Sequence, residues 1–138
     1  YISTLIPQDY IEDIFSRLEF YNDISYATNE HEINQIITKF NDIYGPIPEY
    51  LENLLELTKV RIQASFIDAE KVRINKDNTI ITLNDKSNVN SEKLINDYVV
   101  KEKIEIISKY DLKYRNNVDE SFKDICSNII NFIKSITV

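Results

Sequence analysis

The stretch Asp42-Ile43-Tyr44-Gly45-Pro46-Ile47-Pro48 marks the end of one helix and the start of the next. Gly45 is the single glycine of the 138-residue chain, and it stands where a helix C-terminus favours a residue that tolerates positive φ. Proline is preorganised for the first turn of a helix, so we expect Pro48 to open the following helix. The stretch therefore predicts two consecutive helices joined by a short connection.

On both sides of this connection the apolar residues recur every three or four positions, which is the helical period. The helix before the connection, helix two, begins at Asn29, and Glu32 completes a capping box with it. The predicted buried stripe of helix two consists of Ile33, Ile36, Ile37, Phe40 and Tyr44, and that of helix three consists of Leu51, Leu54, Leu55, Thr58 and Ile62.

A further helical pattern precedes helix two. We expect helix one to run from Tyr10 to a point between Ser25 and Thr28. Carboxylates at its start would favour the positive end of the helix dipole. The predicted first-turn acids are Asp9, Glu12 and Asp13, and the predicted buried stripe consists of Tyr10, Ile11, Ile14, Phe15, Leu18, Tyr21 and Ile24.

After Phe66 the apolar period changes to two, which indicates strands. One hairpin turns at Lys76-Asp77-Asn78 and a second at Lys109-Tyr110-Asp111. A short helix led by Asn90 follows the first hairpin, and a longer one, opened by Asn117 with Glu120 as a capping box, follows the second. The prediction is an α+β fold in a single domain, 1–138. An N-terminal three-helix segment, 1–67, precedes two hairpin-helix units, 68–138, that share a four-stranded antiparallel sheet.

Composition excludes several kinds of site. The chain has 16 Lys and Arg against 23 Asp and Glu, a net charge of −7, which disfavours an independent nucleic-acid module and favours a basic protein partner. A single glycine cannot build a glycine-rich phosphate loop. The lone Cys126, expected in the core, and the lone His31, expected on the surface, cannot build a disulfide framework or a zinc site. We therefore predict no catalytic, cofactor or metal site.

Two features bear on the setting of the chain. Its apolar runs are shorter than a membrane span and its start lacks the pattern of a signal peptide, so we expect a soluble, cytoplasmic protein. The chain begins without Met and opens on an apolar segment, so we also expect a piece of a longer polypeptide.

Five stretches together resemble the C-terminal (TRCF) domain of the bacterial transcription-repair coupling factors, the Mfd family. That family has Ile-Pro-x-Asp-Tyr-Ile, then Arg-Leu-x-x-Tyr, then Asp-Arg-Phe-Gly followed by a proline, and then a Leu-Leu pair. The corresponding stretches, in the same order and spacing, are Ile6–Ile11, Arg17–Tyr21, Asp42–Pro48 and Asn53–Leu55, with a weaker match over Val60–Ala64. The first half of the chain carries most of the specificity.

The resemblance implies a role inside an ATP-dependent DNA translocase that removes stalled RNA polymerase and recruits nucleotide excision repair. In that family the C-terminal domain has no catalytic machinery, and ATP and Mg belong to the motor of the parent protein. The domain packs on the UvrB-like (excinuclease-B-like) domain of the same protein, covers the surface that UvrA must reach, and restrains the motor. UvrA and RNA polymerase are thus indirect partners, and no direct contact with nucleic acid or membrane is implied.

The resemblance also assigns residues. The family presents a Glu and an Asp, three residues apart on one helical face, to arginines of the UvrB-like domain. The Asp corresponds to Asp42, but the Glu position is Lys39 and the family's Arg is Ile43. Asp42 therefore either pairs with Lys39 or meets a partner that carries a compensating change. We predict an intramolecular interface at Asp42 and Lys39.

Four other residues belong to the matching motifs and are assigned structural roles: Arg17, Tyr21, Gly45 and Pro48. Arg17 and Tyr21, four residues apart, are expected to brace helix one, with partner recognition as the alternative. For the chain as a whole, the alternative to a regulatory domain is a free-standing acidic adaptor that binds some other basic protein. An enzyme is the third interpretation, and no residue spacing supports it.

Overall fold

The computed structural model describes residues 2–117 and 119–138, and the chain divides into two compact units, Ile2–Ile62 and Gln63–Val138. The elements are α1 (Ile14–Tyr26), α2 (Glu30–Tyr44), α3 (Glu49–Ser65), β1 (Lys71–Ile74), β2 (Asn78–Thr82), α4 (Ser91–Lys93), a π-helical continuation of α4 (Leu94–Val99), β3 (Ile104–Ile106), β4 (Asp111–Arg115) and α5 (Phe122–Ile136). The predicted α+β class is confirmed, with three leading helices and one four-stranded antiparallel sheet.

The unit Ile2–Ile62 is built around one apolar cluster. The ring of Phe20 stacks on that of Phe40, with the ring centres 4.3 Å apart. The buried members of the cluster are Ile6, Ile11, Phe20, Ile24, Ala27, Ile33, Phe40, Leu51, Leu55 and Ile62. The stripes predicted for helices two and three lie in this cluster or pack against it, apart from Thr58, which is also buried.

The connection between α2 and α3 forms as the sequence predicts. Gly45 ends α2 with φ 86°, a conformation that a side chain would strain. The Glu52 amide donates to the carbonyl of Pro48 at 2.9 Å, so Pro48 opens α3. At the other end of α2 the Asn29 side chain accepts from the Glu32 amide at 2.9 Å, while Glu32 reaches back to the Thr28 amide rather than to that of Asn29.

The prediction for helix one was wrong in its start and only partly right in its buried face. The chain makes a turn at Pro7, whose carbonyl accepts from the amides of Tyr10 and Ile11, and α1 begins only at Ile14. Asp13 is the N-cap, and its carboxylate accepts from the amides of Phe15 and Ser16. The first turn of α1 therefore contains none of the three predicted acids.

The predicted stripe was right for four residues, which lie in the core or pack against it: Tyr10, Ile11, Tyr21 and Ile24. Its other three residues, Ile14, Phe15 and Leu18, are exposed, and Phe20 is buried in their place. Phe15 is 76% exposed and Phe20 only 6%. Apolar residues occur all around α1, so periodicity alone does not decide which side turns inward. The aromatic stack with Phe40 explains the choice, because it buries two large rings at once.

In the unit Gln63–Val138 the strand order is β1-β2-β4-β3, and all three pairs are antiparallel. Residues directly opposite each other in antiparallel strands share a face. One face carries the buried residues Thr79, Ile81, Leu112 and Ile104. Phe132 of α5 lies on this face, because its ring centre is 5.5 Å from that of Tyr114. The residues that β1, β2 and β4 place on the opposite face are exposed or half-buried, and we call this side the open face of the sheet.

The start of α5 is a second correction. Its N-cap is Ser121, whose hydroxyl accepts from the Asp124 amide at 3.1 Å, and not Asn117. Asn117 does bond Glu120, side chain to side chain at 2.7 Å, but this contact precedes the helix. Cys126 is fully buried on the apolar face of α5, as expected, and Asn90 caps α4 as predicted.

Candidate functional site

The charge of the chain is divided unequally between its two units. Residues 2–62 contain four Lys and Arg and eleven Asp and Glu, which accounts for the whole net charge of −7. Residues 63–138 contain twelve of each and are neutral. A basic partner would therefore be attracted to the helical unit specifically.

Within the helical unit, α1 and α2 border a shallow groove of about 180 Å³. Its rim carries the carboxylates of Glu19 and Asp23, four residues apart on α1, and the ammonium of Lys39 on α2. The remaining lining residues are Ser16, Phe20, Ile43 and Tyr44. The sequence analysis did not select Glu19 and Asp23, although their spacing was visible, because only the packing of α1 on α2 shows which exposed residues of α1 border the groove.

Lys39 and Asp42 do not pair. The Lys39 nitrogen lies 5.4 Å from the centre of the Phe20 ring, which is a cation–π arrangement. Asp42 is exposed, and its carboxylate has no hydrogen-bond or ion-pair partner among the residues that the structure describes. Of the two alternatives for Asp42, the internal pair with Lys39 is thus not formed.

Next to Asp42, Ile43 is 58% exposed and lines the groove. Phe15 lies one turn before Glu19 on α1 and is also exposed. We call the groove with Phe15 and Asp42 the α1–α2 surface. It combines exposed apolar side chains with three carboxylates, a composition that suits a protein partner with an apolar centre and a basic rim.

The four motif residues, Arg17, Tyr21, Gly45 and Pro48, stabilise the segments next to this surface. The Arg17 guanidinium donates to the carbonyls of Ile11 and Glu12 at 2.7 and 2.9 Å, and the Tyr21 hydroxyl accepts from the Ile6 amide at 2.7 Å. These three bonds tie the segment before α1 to the helix. Gly45 ends α2 close to Asp42, and Pro48 opens α3.

Tyr10 has a role that the sequence analysis missed. Its hydroxyl donates to the carbonyl of Gly45 at 2.7 Å and approaches that of Phe40 at 3.2 Å. Burial, and then the neighbouring Tyr44, raise the pKa of the Tyr10 hydroxyl above its ordinary value. The bond to Gly45 satisfies a carbonyl at the C-terminus of α2 that has no partner within the helix.

Residues 2–117 and 119–138 contain no group of three or more His, Cys, Asp and Glu side chains arranged to hold a metal ion. Within the same residues, every helix is too short or too polar to cross a bilayer. The three leading helices and the four-stranded sheet define a small α+β domain, and the α1–α2 surface lies on its helical unit.

Comparison with known proteins agrees with the resemblance seen in the sequence. The family model of the TRCF domain matches residues 1–94. The chain is similar to the transcription-repair-coupling factor of Buchnera aphidicola subsp. Acyrthosiphon pisum (strain APS), with 34% identity over 95 residues, 69% of this chain and 12% of that protein. It is similar to the factor of Escherichia coli (strain K12), with 33% identity over 92 residues, 67% of this chain and 8% of that protein.

A solved structure, the crystal structure of the C-terminal domain of a transcription-repair coupling factor, has the same fold. Its TM-score is 0.76 at 16% identity, over 97% of this chain and 86% of that one. The chain belongs to the TRCF domain family, which confirms the family inferred from the residues. It spans about a tenth of the length of the Buchnera and Escherichia relatives.

Proposed function

We propose that this chain is a non-catalytic regulatory domain of a transcription-repair coupling factor, and that it masks the UvrA-binding surface of the UvrB-like domain in the same protein. In this proposal the parent protein is an ATP-dependent DNA translocase that removes stalled RNA polymerase and recruits nucleotide excision repair. The domain restrains the motor until it is displaced from the UvrB-like domain.

The observation that carries the proposal is the unpaired Asp42 carboxylate beside the exposed Ile43. An arginine of the partner would bind this carboxylate in a bidentate geometry, which fixes orientation as well as adding affinity. Ile43 would supply apolar contact next to the ion pair, where burial strengthens the electrostatic attraction.

The distribution of charge supports a partner that binds reversibly. All of the net charge lies in the unit that contains the α1–α2 surface, so attraction to a basic patch is long-ranged and sensitive to salt. A modest, charged contact between domains of one protein can open when another partner competes for it. Masking requires this property.

The proposal is tested by titrating the chain against the separately expressed UvrB-like domain at low and moderate salt, with UvrA as competitor. Salt-sensitive binding that UvrA displaces is the expected result. Asp42→Arg is expected to weaken the affinity by at least about tenfold, since it replaces one charge-assisted pair by repulsion. Glu30→Arg, at the opposite end of α2, makes the same change of charge and is expected to retain binding.

Two results would contradict the proposal. If the wild-type chain fails to bind the UvrB-like domain even when a flexible linker raises the local concentration, the masking contact does not exist. If Asp42→Arg binds as well as the wild type, the contact lies elsewhere on the chain. Thermal denaturation of each variant separates a lost contact from a lost fold.

A further inference from the structure

A second surface, in the unit Gln63–Val138, has the opposite electrostatic character. The open face of the sheet carries two basic residues on β1, Lys71 and Arg73, and two on β4, Lys113 and Arg115. We call these four residues the basic sheet face. They lie on the side opposite the buried face, because successive residues of a strand point to opposite faces of the sheet. None of the four is paired with the buried Thr79 or Ile81.

The register places these side chains in an ordered array. Arg73 lies opposite Ile80, which in turn lies opposite Lys113, so an apolar side chain separates the two cations. Alternate residues of a strand are about 6.7 Å apart, and strands two positions apart are separated by about 10 Å. The four cations thus form two short rows on either side of β2.

The carboxylates on this face leave both arginines free. Asp111 accepts from the hydroxyls of Thr82 and Ser108 at 2.7 and 2.9 Å, and Glu105 lies opposite Lys113. Arg73 and Arg115 face Ile80 and Asn78 across the sheet. Neither guanidinium group has a hydrogen-bond or ion-pair partner within the described part of the chain.

We propose that the basic sheet face docks an acidic protein segment, whose carboxylates bind Arg73 and Arg115 and whose apolar side chain contacts Ile80. Guanidinium groups bind carboxylates in a bidentate geometry, and Ile80 gives the centre of the contact an apolar anchor. Charge complementarity identifies the occupant, because the face carries an excess of positive charge in a chain whose net charge is −7.

The observations favour an acidic protein over a nucleic acid. A phosphate backbone presents acceptors and repeated negative charge only, so Glu105 and Asp111 on the face would repel it. Glu102 and Glu105 also line a pocket together with Arg115. A protein segment also has amide and hydroxyl donors, which these carboxylates can bind. A face that carries both cations and carboxylates therefore attracts a protein segment.

The test uses a fluorescent peptide in which Glu alternates with Val, a matched peptide in which Gln replaces Glu, and a single-stranded oligonucleotide of equal net charge. The wild-type chain is expected to bind the Glu peptide in a salt-dependent way and to bind neither of the other probes. The double variant Arg73→Glu with Arg115→Glu is expected to lose at least about tenfold in affinity. The control, Lys86→Glu with Lys101→Glu, changes exposed residues outside the sheet and is expected to bind as the wild type does.

Equal loss of binding in the control variant, or absence of binding to the Glu peptide, would overturn the proposal. Tighter binding of the oligonucleotide than of the Glu peptide would identify a nucleic-acid surface instead, and would overturn it too. If the Glu double variant fails to fold, Arg73→Gln with Arg115→Gln provides the comparison at a smaller change of charge. The inference is independent of the proposed mask, since Asp42 belongs to the other unit.

Discussion

The ammonium group of Lys39 lies over the Phe20 ring, with the nitrogen 5.4 Å from the ring centre, and so joins the surface of α2 to an aromatic side chain of α1. Lys39 is three residues before Asp42, a spacing at which two helical side chains are neighbours. The cation–π contact nevertheless holds the lysine on the α1 side. The contact explains how Asp42 remains available to a partner although a cation lies one turn away.

Replacing Lys39 by Glu should therefore strengthen docking onto the UvrB-like domain. The change recreates the acidic pair that the family presents, and at the same time it removes the contact with Phe20, which should cost up to about 1 kcal/mol in the free energy of unfolding. Titration and chemical denaturation measure the two effects separately. Lys39→Gln is the control, because it removes the cation without adding an acid. Equal affinities of the Glu and Gln variants would show that the second acid is irrelevant to docking.

The two phenylalanines of α1 should differ strongly in their contribution to stability. Phe20 stacks on Phe40 in the core, so Phe20→Ala should lower the free energy of unfolding by about 3–5 kcal/mol. Phe15 is 76% exposed, and Phe15→Ala should change it by about 0.5 kcal/mol or less. Urea denaturation of both variants provides the measurement. A large loss for Phe15→Ala would mean that the opposite face of α1 is buried.

Asn116, which directly follows β4, should be sensitive to substitution. Its amide oxygen accepts from the buried Thr79 hydroxyl at 3.1 Å, and its amide nitrogen donates to the carbonyl of Asn75 at 2.8 Å. Asn116→Ala leaves both groups without a partner and should cost about 1–3 kcal/mol per buried group left unsatisfied. Asn117→Ala, at the next and exposed position, is the control, and thermal denaturation is the measurement. Similar melting temperatures for the two variants would contradict the assignment.

Acid should destabilise the chain partly through Asp13 and Asp111. A hydrogen bond from the Ser16 hydroxyl, with two backbone amides, lowers the pKa of Asp13, and hydrogen bonds from Thr82 and then Ser108 lower the pKa of Asp111. A lowered pKa in the folded state gives stability that is present above the unfolded value, about 3.9, and is lost as pH falls through the folded value.

The melting temperature of the wild type should thus fall as the pH drops below about 4. Asp13→Asn with Asp111→Asn should lower the melting temperature at neutral pH and make it depend less on pH in the acid range. Asp9→Asn with Asp119→Asn changes two exposed carboxylates for which the structure gives no side-chain hydrogen bond, and serves as the control. If the melting temperature of the first double variant falls with pH in the acid range as steeply as that of the wild type, Asp13 and Asp111 are not the source of the acid destabilisation.

Local signals in the chain predicted most of the element boundaries. Gly45, Pro48, Asn29 and Asn90 act through their own backbone or side-chain geometry, which depends on few distant contacts, and each ends or begins a helix as expected. The start of α5 was mispredicted because Ser121 lies four residues after Asn117 and offers the same kind of cap. Two caps of similar strength in one stretch cannot be ranked without the packing of the helix that follows.

The face of α1 required the tertiary structure. Apolar residues occur around most of α1, so its sequence is compatible with two different buried sides. The side that carries Phe20 is buried because the Phe20 ring stacks on Phe40. The position of Lys39 depends on which side of α1 is buried, because the Lys39 nitrogen lies over the Phe20 ring only when Phe20 faces α2. The groove between α1 and α2, with Glu19 and Asp23 on its rim, follows from the same step.

The sequence by itself determined the family, the order of the elements and the positions of Asp42 and Gly45, because motif spacing and backbone preferences are properties of short stretches. The tertiary structure alone decided that Asp42 is left unpaired and that four cations share one open side of the sheet. Both results depend on contacts and register between residues far apart in the chain, and in each case the competing arrangements differ by little in local energy.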